Sequence, residues 1–352
     1  MISRRRFLTR TSLGLTVVAQ LDWLLAAEIE GAVAPAKPPK IGLSSRTADL
    51  ATLQPAVVTT ASPKLCRILQ FTDLHLYHTT KDDDRKTLED CRRQIDQHHP
   101  DLVVVSGDIW HENPKGLGQG YVEFAVRQFA GWGVPWATCW GNHDVLGDYQ
   151  RGHDTLAAGK SSLYRGGTTH GDYRIEVHAG GGAAAAPPAL DLYLLNSSDA
   201  GLTTWQARSL TTMTAGVAAR GLAVPALLFF HVPIQEFETR MTPGNFSGLK
   251  LEGVSHYSEH GETFPLIVGA KQIKACFCGH NHLNDYVVKT GPVDLNFGRS
   301  TGYAGYGGDK LRKGAKLIEA DLVSGGYQQR TVFASGATQF GFAPSGALVH
   351  AA

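Results

Sequence analysis

The stretch "VPWATCWGNHD" at 134–144 decides the reading of this chain. An apolar run ends abruptly in Asn142, His143 and Asp144. Three polar side chains at a strand end make either a turn or part of a site. Working outward shows which. Upstream, "DLVVVSGD" at 101–108 carries four apolar residues without alternation, the pattern of a strand covered on both faces. Further upstream, Ile68, Leu69 and Phe71 form a short apolar strand that stops at Asp73. Between the three strands lie segments of helical period, "TLEDCRRQIDQHHP" at 87–100 and "YVEFAVRQFAGWG" at 121–133. "DDDR" at 82–85 reads as a helix start, since acidic side chains are favourable at an amino end. The result is a βαβαβ pattern, which implies parallel strands and right-handed crossovers.

Downstream, strands are expected at 190–196, 225–231 and 273–278, with a helix over 203–220. Short strands follow: "YVVK", "VDLNFG", "AKLIEADL" and "YQQRTVF". The low-complexity "AGGGAAAAPPA" at 179–189 reads as an exposed loop joining two hairpin strands.

Each strand of the first set ends in residues that bind metals. Asp73 and His75 follow the first, Asp108 the second, Asn142 and His143 the third. His231 ends "LLFFH", and His280 and His282 follow "KACFCG". In open α/β sheets, ligands bind at the carboxyl ends of strands, so groups scattered in sequence converge in space. Imidazole, carboxylate and amide oxygen together suit Zn, Fe or Mn. A shared carboxylate can hold two such ions at roughly 3.5–4 Å, the spacing used for in-line phosphoryl displacement. Asn142 is then expected as a ligand, His143 as a substrate-facing group, and Asp144 as the carboxylate that orients an imidazole.

The ordered set Asp73-Leu74-His75, Gly107-Asp108, Gly141-Asn142-His143-Asp144, His231 and Gly279-His280-Asn281-His282 resembles the calcineurin-like metallophosphoesterases. The likeness covers about 64–322. "FFHVPIQEF", "NFSGLKLEGVS", "CGHNHLNDY" and "GYAGYG" look like the purple-acid-phosphatase-like branch known from plants and fungi. Purple enzymes place a Tyr three residues after the bridging Asp; here His111 stands there and His75 is present, so a tyrosinate–iron colour is not expected.

The resemblance implies an α/β fold, a four-layer αββα sandwich, with two metal ions (Fe, Mn or Zn). Metal one takes Asp73, His75, Asp108 and His282; metal two takes Asp108, Asn142, His231 and His280. A hydroxide activated between the metals would hydrolyse phosphate esters, most simply monoesters. His143 would hold the phosphate or protonate the leaving oxygen, with Asp144 behind it. The alternatives are a phosphodiesterase or nucleotide hydrolase on the same site, and a metal-binding scaffold without turnover.

The amino end carries a second message. "SRRRFLT" at 3–9 precedes the apolar run 13–27, the grammar of an export signal. Ser3, Arg4, Arg5, Phe7 and Leu8 match the twin-arginine pattern, with Thr9 in place of Lys. The expected organisation is a twin-arginine signal peptide over 1–34, a linker over 35–63, the metallophosphoesterase domain over 64–335 and a tail over 336–352. The expected partners are the twin-arginine export machinery and a phosphate-ester small molecule or phosphorylated substrate. The expected location is periplasmic or secreted, with no transmembrane span in the mature protein. Formal net charge is +1, so no global field draws nucleic acid, and no nucleic-acid patch is evident.

Three smaller features complete the reading. Five cysteines at irregular spacing are buried, inert thiols and not a disulfide framework. Cys276 and Cys278, two apart, are taken to point to opposite faces. The glycine-rich "GRSTGYAGYGG" at 298–308 is either a substrate-facing loop, with Tyr303 or Tyr306 stacking on an organic group, or a turn between strands. "NFS" at 245–247 fits a glycosylation sequon but is discounted in a bacterial setting.

Overall fold

Every residue of the strand Leu102–Ser106 is buried, as its unbroken apolar run requires. Around it the computed structural model describes residues 41–352, apart from 47, 49, 51, 78–81, 112–117, 183–185, 309, 343–347 and 350–352. The signal peptide expected over 1–34 lies outside the described residues.

The first half runs β1 (Ala56–Thr59), β2 (Leu65–Phe71), α1 (Asp82–His98), β3 (Leu102–Ser106), α2 (Gly118–Ala130), β4 (Trp136–Cys139), α3 (Tyr149–Ala158), β5 (Tyr173–His178) and β6 (Leu190–Leu194). The second runs α4 (Thr204–Ala219), β7 (Ala226–Phe229), α5 (Glu236–Thr239), β8 (Phe246–Lys250), α6 (Thr263–Gly269), β9 (Ile273–Cys278), β10 (Asn284–Lys289), β11 (Asp294–Phe297), β12 (Ala315–Asp321), β13 (Tyr327–Val332), β14 (Thr338–Phe342) and β15 (Leu348–Val349). The expected βαβαβ unit is present, and α1 begins at Asp82 with three aspartates in its first turn.

The strands form two sheets. One has the order β1-β5-β6-β7-β9-β11-β10-β8, the other β15-β14-β13-β12-β2-β3-β4. Alternation along the first sheet shows the layering. Leu192, Leu194, Leu227, Phe229, Ala275 and Phe277 join the core shared with β2, β3 and β4. Their neighbours Tyr193, Leu195, Leu228, Phe230 and Cys276 face Leu210 and Met213 of α4 and Phe264 and Ile267 of α6. Cys91 and Ile95 of α1 and Val122 and Phe129 of α2 pack with the second sheet. The layers are helices, sheet, sheet, helices: the expected αββα sandwich.

Three differences from the sequence reading have physical causes. Cys276 and Cys278 share one face of β9 and one core, because residues two apart on a strand point the same way. The two sheets also take in strands outside 64–335. Ala56–Thr59, read as linker, pairs in parallel with β5 at the edge of the first sheet. Thr338–Phe342, read as tail, pairs with β13. Both strands are short and flanked by turn-forming residues, which hides them from a periodicity reading.

Parallel pairing sets the site. Ile68 faces Leu102 and Val103 faces Trp136 across β2, β3 and β4, so all three strands end at one edge. In the other sheet β6, β7 and β9 are parallel and also end together. Gln70 joins the sheets there, donating to Ser106 Oγ at 2.8 Å and to the Cys278 carbonyl at 3.1 Å. Among the described residues, no helix is long and apolar enough to cross a membrane.

Candidate metal centre

The backbone at the strand ends is bent into an unusual shape. Asp73, His75, Asp108 and His280 have φ of 54°, 47°, 49° and 82°. Such left-handed positions cost a non-glycine residue roughly 1–2 kcal/mol each and persist only where the surroundings hold them. Here they are held. The Asp73 amide donates to Gly107 O at 3.1 Å and the His75 amide to Asp108 O at 3.0 Å. The His280 amide donates to the Asp73 carboxylate at 3.2 Å. Gly107 is needed for a second reason: a Cβ there would stand 2.5 Å from the His231 ring.

This backbone brings the expected side chains into two groups, Asp73 with His75 and His282, and Asp108 with His231 and His280. Within the first, His75 Nε2 lies 3.1 Å from His282 Nε2, and His282 Nε2 lies 3.2 Å from Asp73 Oδ1. Asp108 Oδ2 lies 3.1 Å from His231 Nε2 and 3.7 Å from His75 Nε2, so this one oxygen faces both groups. Asp73, His75, Asp108, His231 and His282 are all buried.

These donors fit two cations. Two buried carboxylates stand close together and are paired with imidazoles, a costly arrangement without compensating charge. Asn142 Oδ1 is buried without a hydrogen-bond partner, as a ligand atom would be. The far nitrogens are already used: His231 Nδ1 donates to Ser106 O at 2.8 Å, and His282 Nδ1 to Tyr306 O at 3.1 Å. Such bonds fix the tautomer and turn Nε2 to the metal side.

The electrostatics agree. Burial pushes the Asp73 and Asp108 carboxyls up, but the His282 and His231 imidazoles hold them below the usual carboxylate range. Burial drives His75 and His280 below the ordinary imidazole value, His280 to about 3, which keeps them in the neutral form that coordinates. At His231, by contrast, burial is outweighed by Asp108 and the pKa rises to about 9, so a cation bound there would have to displace a proton.

His143 stands outside both groups. Its amide donates to Asp108 Oδ1 at 2.9 Å, and its ring lies 5.0 Å from the His75 ring. His111 lies 5.8 Å from the His143 ring and stacks on Tyr77. Asp144 differs from expectation. It orients backbone, not an imidazole: Oδ1 accepts the Ile109 and Trp110 amides at 2.8 and 3.2 Å, and Oδ2 accepts Gly141 N–H at 2.7 Å. Burial, with Asp108 close by, pushes its carboxyl up, while the amides of Gly141 and Trp110 pull it back. Its chemistry is to clamp the Asp108 and Asn142 loops together.

Sequence reasoning missed the wall behind His282. Tyr306 stacks on that ring at 4.1 Å and 10°. Its hydroxyl accepts the His282 amide at 3.1 Å and donates to Glu252 at 2.9 Å. Gly305 leaves room for this, since a Cβ there would stand 2.3 Å from His282. Tyr303 instead bonds Asp90 of α1 at 2.7 Å. The glycine-rich stretch therefore braces His282. The only signal in the sequence was its Gly-Tyr spacing. A cavity of about 980 Å³ lies elsewhere, among residues that precede strands, such as Ala189, Pro225 and Gln272, and it takes no part in this site.

With this geometry in view, comparison with known proteins is direct. The model of the calcineurin-like phosphoesterase family matches residues 66–284, and the chain belongs to that family. It is 28% identical over 274 residues to "Probable inactive purple acid phosphatase 28" of Arabidopsis thaliana, covering 69% of this chain and 68% of that one. It is 25% identical over 305 residues to "Probable inactive purple acid phosphatase 29" of the same plant, covering 73% and 77%. Among solved structures, a dimetal phosphatase from Danio rerio superposes with a TM-score of 0.49 at 11% identity, over 76% of this chain and 95% of that one.

Proposed function

We propose that the chain hydrolyses phosphate esters at a two-metal centre, with monoesters preferred. One observation carries this reading: Asp108 Oδ2 faces both ligand groups, 3.1 Å from His231 and 3.7 Å from His75. Two cations bound there would supply a water of lowered pKa and polarise the phosphoryl group. The chain's own residues do the rest. Asp73, His75 and His282 would hold one ion, and Asn142, His231 and His280 the other, with Asp108 between. His143, beside His75 and outside both groups, would meet the ester's oxygens and give a proton to the leaving one. The two plant relatives carry "inactive" in their names; the complete donor set here supports turnover instead.

The test is an assay of purified protein on p-nitrophenyl phosphate and bis(p-nitrophenyl) phosphate, stripped and then reloaded with Mn, Fe or Zn. Metal-dependent hydrolysis with the monoester ahead is expected. A faster diester would favour the phosphodiesterase alternative. Full metal occupancy without turnover of either would establish a scaffold.

We also propose export by the twin-arginine route, on the motif Ser3-Arg4-Arg5 followed by Phe7-Leu8. Arg4→Lys with Arg5→Lys is expected to block export of a reporter fusion. Undiminished export of the double variant would remove this claim.

A further inference from the structure

We propose that Tyr257 receives the organic part of the bound ester and makes the site favour esters with an aromatic group; this rests on the phosphoesterase reading above. Tyr257 is an aromatic side chain with 41% of its surface exposed, beside a metal-ligand histidine. Its ring centroid lies 5.1 Å from that of His280, at 62°. The residue sits at φ 51°, a conformation that L side chains rarely adopt. Strained positions of this kind persist where surrounding structure fixes them, and they cluster at ligand clamps.

The surroundings here are firm although the segment 251–262 contains no helix or strand. Before Tyr257, the Ser255 amide donates to Asn281 Oδ1 at 3.1 Å, tying the loop to the residue between the two ligand histidines. After it, the Ser258 amide donates to Ala200 O at 3.2 Å. Buried Glu259 then accepts the amides of Gln235, Gly261 and Thr263 at 3.0, 2.9 and 3.2 Å. An irregular loop pinned on both sides thus holds the partly exposed Tyr257 against His280. A ring held this way loses little freedom on binding, and offset or edge contacts with a second ring add to simple burial.

Tyr303 bonds Asp90 of α1, and Tyr306 braces His282 with its ring and bonds Glu252 through its hydroxyl. The other assignment for Tyr257 is a cover for His280. Those two roles separate cleanly: a cover affects every ligand alike, whereas a stacking contact affects only ligands with a ring.

The experiment uses the full metal-loaded chain and two non-hydrolysable probes, phenylphosphonate and methylphosphonate, with parent, Tyr257→Phe and Tyr257→Ala. Metal content is measured for each. Tyr257→Ala is expected to weaken phenylphosphonate roughly 5–10-fold and to leave methylphosphonate within about twofold. Tyr257→Phe should hold both within about twofold. Equal loss on both probes, loss of metal, or unchanged phenylphosphonate binding in Tyr257→Ala would overturn the assignment, as would failure of the parent to bind either probe. Selective loss in a parent that hydrolyses no ester would sink the hydrolase reading alone and leave Tyr257 as the ring contact.

Discussion

Tyr306 lies parallel to His282, ring on ring at 4.1 Å and 10°. The same residue accepts two N–H groups of His282, the amide on its hydroxyl and Nδ1–H on its carbonyl. Outer partners of this kind typically change metal affinity by about 10–100-fold. Tyr306→Ala should therefore weaken binding of one of the two ions by roughly that factor, read by titration against a chelating dye. Tyr306→Phe, which keeps the ring, should fall between. Parent-like affinity in the alanine variant would mean that the backbone carbonyl alone orients the imidazole.

Asp144 connects the loops that carry Asp108 and Asn142 through three backbone amides. Asp144→Ala leaves those amides without their acceptor, at a cost of about 1–3 kcal/mol for each group that stays buried. Thermal unfolding of the metal-free protein should show a clear drop in Tm. His143→Ala, at a partly exposed side chain, should show little. Equal stabilities would mean that the clamp is unnecessary and that Asp144 has some other role.

The contrast between these residues shows what the sequence made legible. Strand ends and their polar residues were readable, because apolar runs and helical periods locate the strands and parallel pairing gathers their ends. The convergence of the donor residues follows from that, while their division into two groups came from the family resemblance. Partnerships across the fold were not readable. Tyr306 with Glu252 spans 54 positions, and Asp144 with Ile109 spans 35. No local pattern encodes either. Asp144 also looks like a triad carboxylate when only its neighbour His143 is in view, and only its hydrogen bonds show otherwise. The strand Ala56–Thr59 was missed because four residues carry too little alternation to distinguish strand from linker.

His153 of α3 gives a pH dependence. It is buried, with Nδ1 paired to the Tyr164 hydroxyl and Nε2 to Gly42 O at 2.9 Å. Burial lowers its pKa from 6.5 to about 4. The folded state therefore resists protonation that the unfolded chain accepts. The stability this contributes is fully present above pH 6.5 and is lost as pH falls towards 4, by roughly 3 kcal/mol in all. Urea unfolding of parent and His153→Gln at about pH 7 and about pH 4.5 isolates it. The parent should lose more stability than the variant between the two conditions. Identical losses would show that His153 does not titrate with folding.

His143 is the residue on which the chemical reading turns. It follows Asn142 at the end of β4, but the backbone there separates their roles. The His143 amide is fixed on Asp108 Oδ1 at 2.9 Å, and its ring stands beside the His75 ring without joining either ligand group. A positioned general acid contributes typically about 10²–10⁴ in rate. That contribution is largest when the leaving oxygen is strongly basic, since an alkoxide needs a proton and p-nitrophenolate barely does. His143→Ala should therefore keep both metals and lose far more kcat/KM on alkyl phosphates than on p-nitrophenyl phosphate. The measurement is kcat/KM for variant and parent across leaving groups of rising pKa, with metal content determined in each case. A uniform loss would assign His143 to holding the phosphoryl group. Loss of metal would make it a ligand, or the support of one, and would overturn the separation of roles between Asn142 and His143.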